Sequence, residues 1–223
     1  MGSAASYLAG PVAPGELVAI AINRLSISTA AATSANTTVM VDSYPAQLIS
    51  VTSTQITAMV PFEIAGEAST ILKISIAGQA AAPITLNTAL TAPGIFITGN
   101  GPTNGRNDQA AVINQDGTVN SQSNPAVRGS TVTIYGTGAG ELFPVATDGS
   151  AASSTPATPI AAVSATIDGL AASVGYAGGS PGLSVAVLQV NAVVPATSDT
   201  GKVKVAITVG GVSSQSGANM WVK

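Results

Sequence analysis

Gln55-Ile56-Thr57-Ala58-Met59-Val60-Pro61 returns later in the chain as Gln189-Val190-Asn191-Ala192-Val193-Val194-Pro195. Each copy is a short run of β-branched and small apolar residues that ends at a proline, where a missing N–H costs no ladder bond, so both read as strands. Working outward, three more blocks recur in the same order. Pro14–Ile20 corresponds to Arg128–Ile134, Thr38–Ser43 to Ser164–Gly169, and Ile74–Gly78 to Ile207–Gly211. Asp42 aligns with Asp168, whereas Gln55 aligns with Gln189, so the second copy is longer by eight residues between these points. The surplus falls near Gly178-Gly179-Ser180-Pro181-Gly182, a cluster of loop residues.

A repeat unit of roughly a hundred residues is the size of an immunoglobulin-like sandwich and far above solenoid periods. The remaining runs agree. Leu17–Ile22, Thr70–Ile76, Thr131–Tyr135, Val163–Ile167, Val185–Val194 and Lys202–Val209 read as strands between Gly, Pro, Asn and Asp. No window carries a helical stripe; Ala-rich Ser26–Ser34 has no acid or base for i,i+4 support and reads as loop. The expected fold is all-β, two tandem immunoglobulin-like β-sandwich domains. The first spans residues 1–98, with 1–6 as a tail or cloning scar, and the second spans 99–223. Within the second, 99–127 forms a connecting loop or hairpin through Gly99–Gly105, Ala111–Asn114 and the Asp116-Gly117 turn.

Composition narrows the function classes. Of 223 residues, 46% are hydrophobic but only 8% charged, and there is no His and no Cys. Imidazole bases, thiolate nucleophiles, disulfides and nearly all zinc, copper and iron sites are thereby excluded. A net charge of −3 with seven scattered bases gives no basic patch for nucleic acid. No run approaches the ~18 apolar residues of a membrane span. Without His a hydrolase would need a Lys, Asp or Glu base, and none of Lys73, Lys202, Lys204 and Lys223 sits in a Ser-x-x-Lys arrangement. Enzyme activity is not expected. Lys202-x-Lys204 alternates with Val203 and Val205, which points both lysines to solvent and away from an isopeptide crosslink.

At these blocks the sequence resembles a known family. Pro14-Gly15-Glu16-Leu17-Val18, Gln55–Pro61, Ala92-Pro93-Gly94-Ile95-Phe96, Tyr135-Gly136-Thr137-Gly138-Ala139-Gly140 and Gln189–Pro195 are similar to the paralogous C-terminal domain of acidobacterial (Solibacter-type) extracellular proteins. The resemblance covers nearly all of residues 8–223 and implies IPT/TIG-like modules at the end of secreted or cell-surface proteins. It carries over no catalytic residue. The chain departs from the pattern at Ile22, where the second copy has Gly136.

The candidate sites are few. Asp108, Asn114 and Asp116 supply oxygen ligands of the kind calcium uses, although Asn-Gln-Asp-Gly is first of all a hairpin turn. No other cofactor is expected. Gly136–Gly140 reads as a glycine-permitted turn, because no helix follows to face a phosphate. Asp42 and Asp168 are expected to bond backbone in Asx fashion, and Gln55 and Gln189 to bridge to loop backbone. Tyr176 and Trp221 are the aromatic candidates for stacking on a glycan. Tyr7 and Leu8 open the apolar stretch Tyr7–Val12, the candidate for strand exchange between copies. The leading expectation is an extracellular spacer, stalk or adhesion module, partnered by other surface proteins. A filament that self-associates by strand exchange is the first alternative and a carbohydrate-binding module the second.

Overall fold

A computed structural model describes residues 1–25, 27, 32–98 and 108–223. The linker at Gly99–Gly105 and most of Ser26–Ser34 lie outside the described residues. Among the described residues the named strands pair antiparallel, with isolated parallel bridges such as Ala126 to Val222, and the all-β expectation holds.

In the first half the long strands are β1 (Leu17–Ala21), β2 (Thr37–Val41), β3 (Gln47–Val51), β4 (Gln55–Met59), β5 (Ser69–Ile76) and β6 (Ile84–Asn87). One sheet runs in the order Gly2–Ser3, β1, β4, β3; the other places β2 and β6 on β5. Strand alternation explains the closure. Thr70, Leu72, Ile74 and Ile76 point inward from β5, while Ile71 and Lys73 stay exposed. They meet Val18 and Ile20 of β1, Val39 and Val41 of β2, and Ile56 and Ala58 of β4 in one core. Each such aliphatic side chain contributes about 1.5–3 kcal/mol on burial.

The second half repeats the plan with β7 (Thr131–Thr137), β8 (Val163–Ile167), β9 (Val174–Gly179), β10 (Leu188–Val193), β11 (Gly201–Val209) and β12 (Asn219–Val222). The sheet β7-β10-β9 faces a sheet in which β8 and β12 pair with β11. Its core is a separate cluster centred on Ile134, Ile167, Val190 and Ile207. Correspondence extends to irregularities: the ladder slips between Leu48 and Ser50 on β3 and between Val174 and Tyr176 on β9.

Several local readings change. Residues 1–6 are not a free tail, because Gly2–Ser3 pairs with Val18 and Ala19 on the edge of β1. In the second half the equivalent edge of β7 is covered by Gly94–Ile95 and Val112–Ile113. Ile95 is wholly buried in the second core, so the chain changes cores between Thr88 and Ile95, ahead of the expected boundary at 98. The Asn114 N–H donates to the Thr118 carbonyl across a turn, and Val112–Ile113 is annexed to β7. Ile22 is buried in the first core and opens a 3-10 turn, whereas Gly136 lies where an added Cβ would come within 2.5 Å of the Gly94 carbonyl oxygen.

Asp42 and Asp168 both take left-handed backbone, at φ 54° and 59°. Each carboxylate does accept a backbone N–H, but the donors are distant in sequence, Ile71 (2.8 Å) on β5 and Asp199 (2.7 Å) in the loop before Gly201, rather than within a local turn. Among the described residues, the side-chain bonds of Gln55 and Gln189 do not go to loop backbone. Each donates along its own strand two residues on, Gln55 to Thr57 Oγ1 (3.1 Å) and Gln189 to Asn191 Oδ1 (3.0 Å). Side chains at i and i+2 share one face of a strand, which makes that bond shorter than any to a loop.

Candidate functional site

The residues of Gly136–Gly140 lie at the junction of the two halves. Thr137 ends β7, and its hydroxyl is completely buried between chain segments far apart in sequence. Oγ1 accepts the N–H of Leu17 (2.9 Å), the first residue of β1, and donates to the carbonyl of Ala186 (2.8 Å). A hydroxyl can do both at once, and here it joins the two halves.

Glycine is required immediately afterwards. Gly138 has φ 79°, and a Cβ there would fall 1.9 Å from the Ala92 carbonyl oxygen; at Gly140 it would fall 2.1 Å from that of Leu90. The connecting segment Leu90–Pro93 therefore lies directly on the glycine run, and the Ala92 N–H donates to the Gly138 carbonyl (2.9 Å). Backbone approaches this close are open only to glycine.

The eight-residue surplus of the second copy is used at the same place. Between β9 and β10 the chain runs through Ser180–Val187, so the expected strand Val185–Val194 is strand only from Leu188. Ala186 buries against Leu17 and Met59 of the first half, with Val185 and Val187 beside it. Phe62, in the 3-10 turn Phe62–Ile64, packs against this cluster and against the second core. A Cβ on Gly15 would come within 2.4 Å of the Phe62 ring.

A polar flank completes the junction. Asp148 Oδ1 accepts the Phe62 N–H (3.2 Å). Burial, aided by the Glu63 carboxyl beside it, raises Asp148 to about 6 against the pull of that N–H. Glu141 shares the cleft they line, about 420 Å³ in volume. Farther from the loop, Glu16 is 2% exposed and accepts the Ala13 N–H (3.0 Å); desolvation raises its carboxyl to about 7, although bonds from Ala13 and the Ser3 hydroxyl oppose the shift.

The sequence-derived candidates are dispersed. Asp108 pairs with Lys202 (2.6 Å) and accepts from Asn219 Nδ2 (3.0 Å). Asn114 donates to the Asn124 carbonyl (2.9 Å) and accepts from Asn120 (2.9 Å), while Asp116 Oδ1 caps the Thr118 N–H (3.0 Å). Among the described residues no group of three or more acidic side chains could hold a metal ion. Tyr176 lies on β9, its hydroxyl donating to the Gly179 carbonyl (2.6 Å), and Trp221 lies on β12 in the facing sheet, so they share no platform. Tyr7 takes φ 58°, with its N–H on the Ser3 carbonyl (2.8 Å), and Leu8 is 58% exposed. Val12 is tied to Asn87 and Ala89, so Tyr7–Val12 is docked on its own chain at its far end.

Fold and junction together define an all-β protein of two antiparallel sheet pairs that share a buried contact. No family model and no curated protein matches the chain. Among solved structures, the plexin A4 full extracellular region aligns with 96% of this chain at 14% identity and a TM-score of 0.31. The chain spans 17% of that region's length. No helix among the described residues is long and apolar enough to cross a membrane.

Proposed function

We propose that this chain is a non-enzymatic structural module of an extracellular surface protein, two immunoglobulin-like domains held at a fixed angle as a spacer or stalk. The observation that supports it best is the use of the inserted loop. In repeated modules an insertion is the natural place for a ligand-specific feature, yet Val185–Val187 lies against the neighbouring half. The resemblance to the C-terminal domain of acidobacterial extracellular proteins and the absence of His and Cys favour the same reading. The experiment is a hydrolase substrate screen combined with sedimentation velocity of purified protein. A monomer without turnover is expected; turnover abolished by a single Ser or Asp substitution would overturn the reading.

Filament formation by strand exchange is the second reading. It is favoured by the Gly2–Ser3 pairing, since the same backbone bonds would form with β1 of another copy. Polymers in the electron microscope that vanish on removal of residues 1–12 would select it over the spacer.

A further inference from the structure

The cleft at the polar flank of the junction is acidic on both sides. Phe62 and Glu63 come from the first half, and Glu141, Leu142, Val145 and Asp148 from the second. No Lys or Arg is among the residues that line it.

Next to it the second half exposes large apolar side chains. Val145 is 86% exposed, Phe143 71% and Ile160 66%. Ile160 is held beside Glu141, its N–H donating to the Glu141 carbonyl (3.0 Å). Large side chains left exposed together mark contact surfaces in soluble proteins. The short strand Leu142–Phe143 pairs with Thr158–Pro159 on one side and with no strand on the other among the described residues. An open strand edge accepts extended backbone.

We propose that this cleft and its rim dock an extended segment of a partner protein that carries basic side chains alternating with apolar ones. The apolar side chains cover Val145, Phe143 and Ile160, and the basic ones face Glu63, Glu141 and Asp148. Glu63 is the charged group that acts directly on Asp148, which burial holds up at about 6, and Glu141 lines the same cleft. A cation placed there favours the ionised form, so docking releases a proton and tightens as pH rises from 5 to 7. Docking at this face is independent of the spacer role, but needs both halves in place.

The probe is a synthetic ten-residue peptide of alternating Lys and Ile, with two controls, Glu replacing Lys and Ser replacing Ile, each titrated into the isotope-labelled full chain. The Lys/Ile peptide is expected to shift resonances of Phe62, Glu63 and Glu141–Asp148, and to bind more weakly in high salt. Val145→Ser is expected to weaken it about tenfold, the worth of one covered valine. Glu63→Gln and Glu141→Gln weaken it severalfold. Because all three side chains sit at the surface of the cleft, an unchanged amide spectrum outside the cleft verifies the fold of each variant. Equal binding of the Glu peptide, shifts confined to another surface, or no shift at millimolar peptide overturns the proposal. So does a dimer of the free protein that Val145→Ser abolishes, since the occupant is then a second copy.

Discussion

The Leu17 N–H donates to Thr137 Oγ1 over 2.9 Å, joining the first residue of β1 in the first half to the last residue of β7 in the second. The same hydroxyl donates onward to Ala186, in the loop that only the second copy has. One buried side chain therefore connects the first half, the glycine run and the insertion. If that connection sets the angle between the halves, removing it has consequences that neither half would show alone.

Thr137→Val keeps the shape and strand preference of the side chain but leaves a buried N–H and a buried carbonyl without a partner. Each unpartnered group costs about 1–3 kcal/mol. Urea unfolding is expected to show a clear loss of stability that Thr137→Ser largely restores. Equal stability of the Val variant would mean water or repacking satisfies both groups.

Glycine at 138 meets two demands, a positive φ and a close carbonyl, whereas Gly129 has φ 78° and open space around its missing Cβ. Gly129→Ala is expected to cost about 1–2 kcal/mol, the conformational term alone. Gly138→Ala has to displace the Leu90–Pro93 segment as well and should cost distinctly more. Thermal melts of the two variants side by side give the comparison, and equal losses would show that the segment is not held against Gly138.

Ala77 occupies left-handed backbone at φ 49°, where the second copy places Gly210 at φ 58°. Ala77→Gly removes a steric penalty of about 1 kcal/mol and should raise the melting temperature. A lower melting temperature would indicate that the gain in unfolded-chain entropy outweighs the relief of strain.

Glu16 gives the fold a pH dependence of known sign. Its carboxyl titrates at about 7 in the folded chain against an ordinary value of 4.5, so between these pH values the folded state holds a proton that the unfolded state has released. Stability is greatest below pH 4.5 as far as this group is concerned, and falls as pH rises towards 7. The shift corresponds to about 3 kcal/mol. Glu16→Gln keeps an acceptor for the Ala13 N–H without the charge, and should flatten this slope and stabilise the protein at pH 8. Unfolding free energies measured from pH 4 to 8 check it; a slope unchanged in the variant assigns the proton to another group.

The strands with strong β-branched alternation were legible in the sequence, because burial on one face writes a period of two into β5 and β11. The strands β3, β6, β9 and β12 were not. The residues of β3, β6 and β9 are small, polar or partly exposed, as in Gln47–Val51, so tertiary pairing rather than pattern makes them strands; β12 buries Met220 and Val222 in alternation, but four residues are too few for that period to stand out. The junction was visible only as its parts. A glycine run, a Thr at a strand end and a loop insertion each have a bland local reading, and nothing in the chain reveals that Leu17 approaches Thr137 from 120 residues away. Val185–Val187 misled for a similar reason: an apolar run continuous with a strand looks like strand, whether it pairs or packs against a neighbouring core.

The central proposal is that the two halves move as one body, and residual dipolar couplings of backbone amides in a weakly aligning medium test it most directly. Couplings from β1–β6 and from β7–β12 are predicted to fit one common alignment tensor in the intact chain, and two different tensors once Ser180–Val187 is shortened to the length of the first copy's loop. Two different tensors in the intact chain would contradict the account.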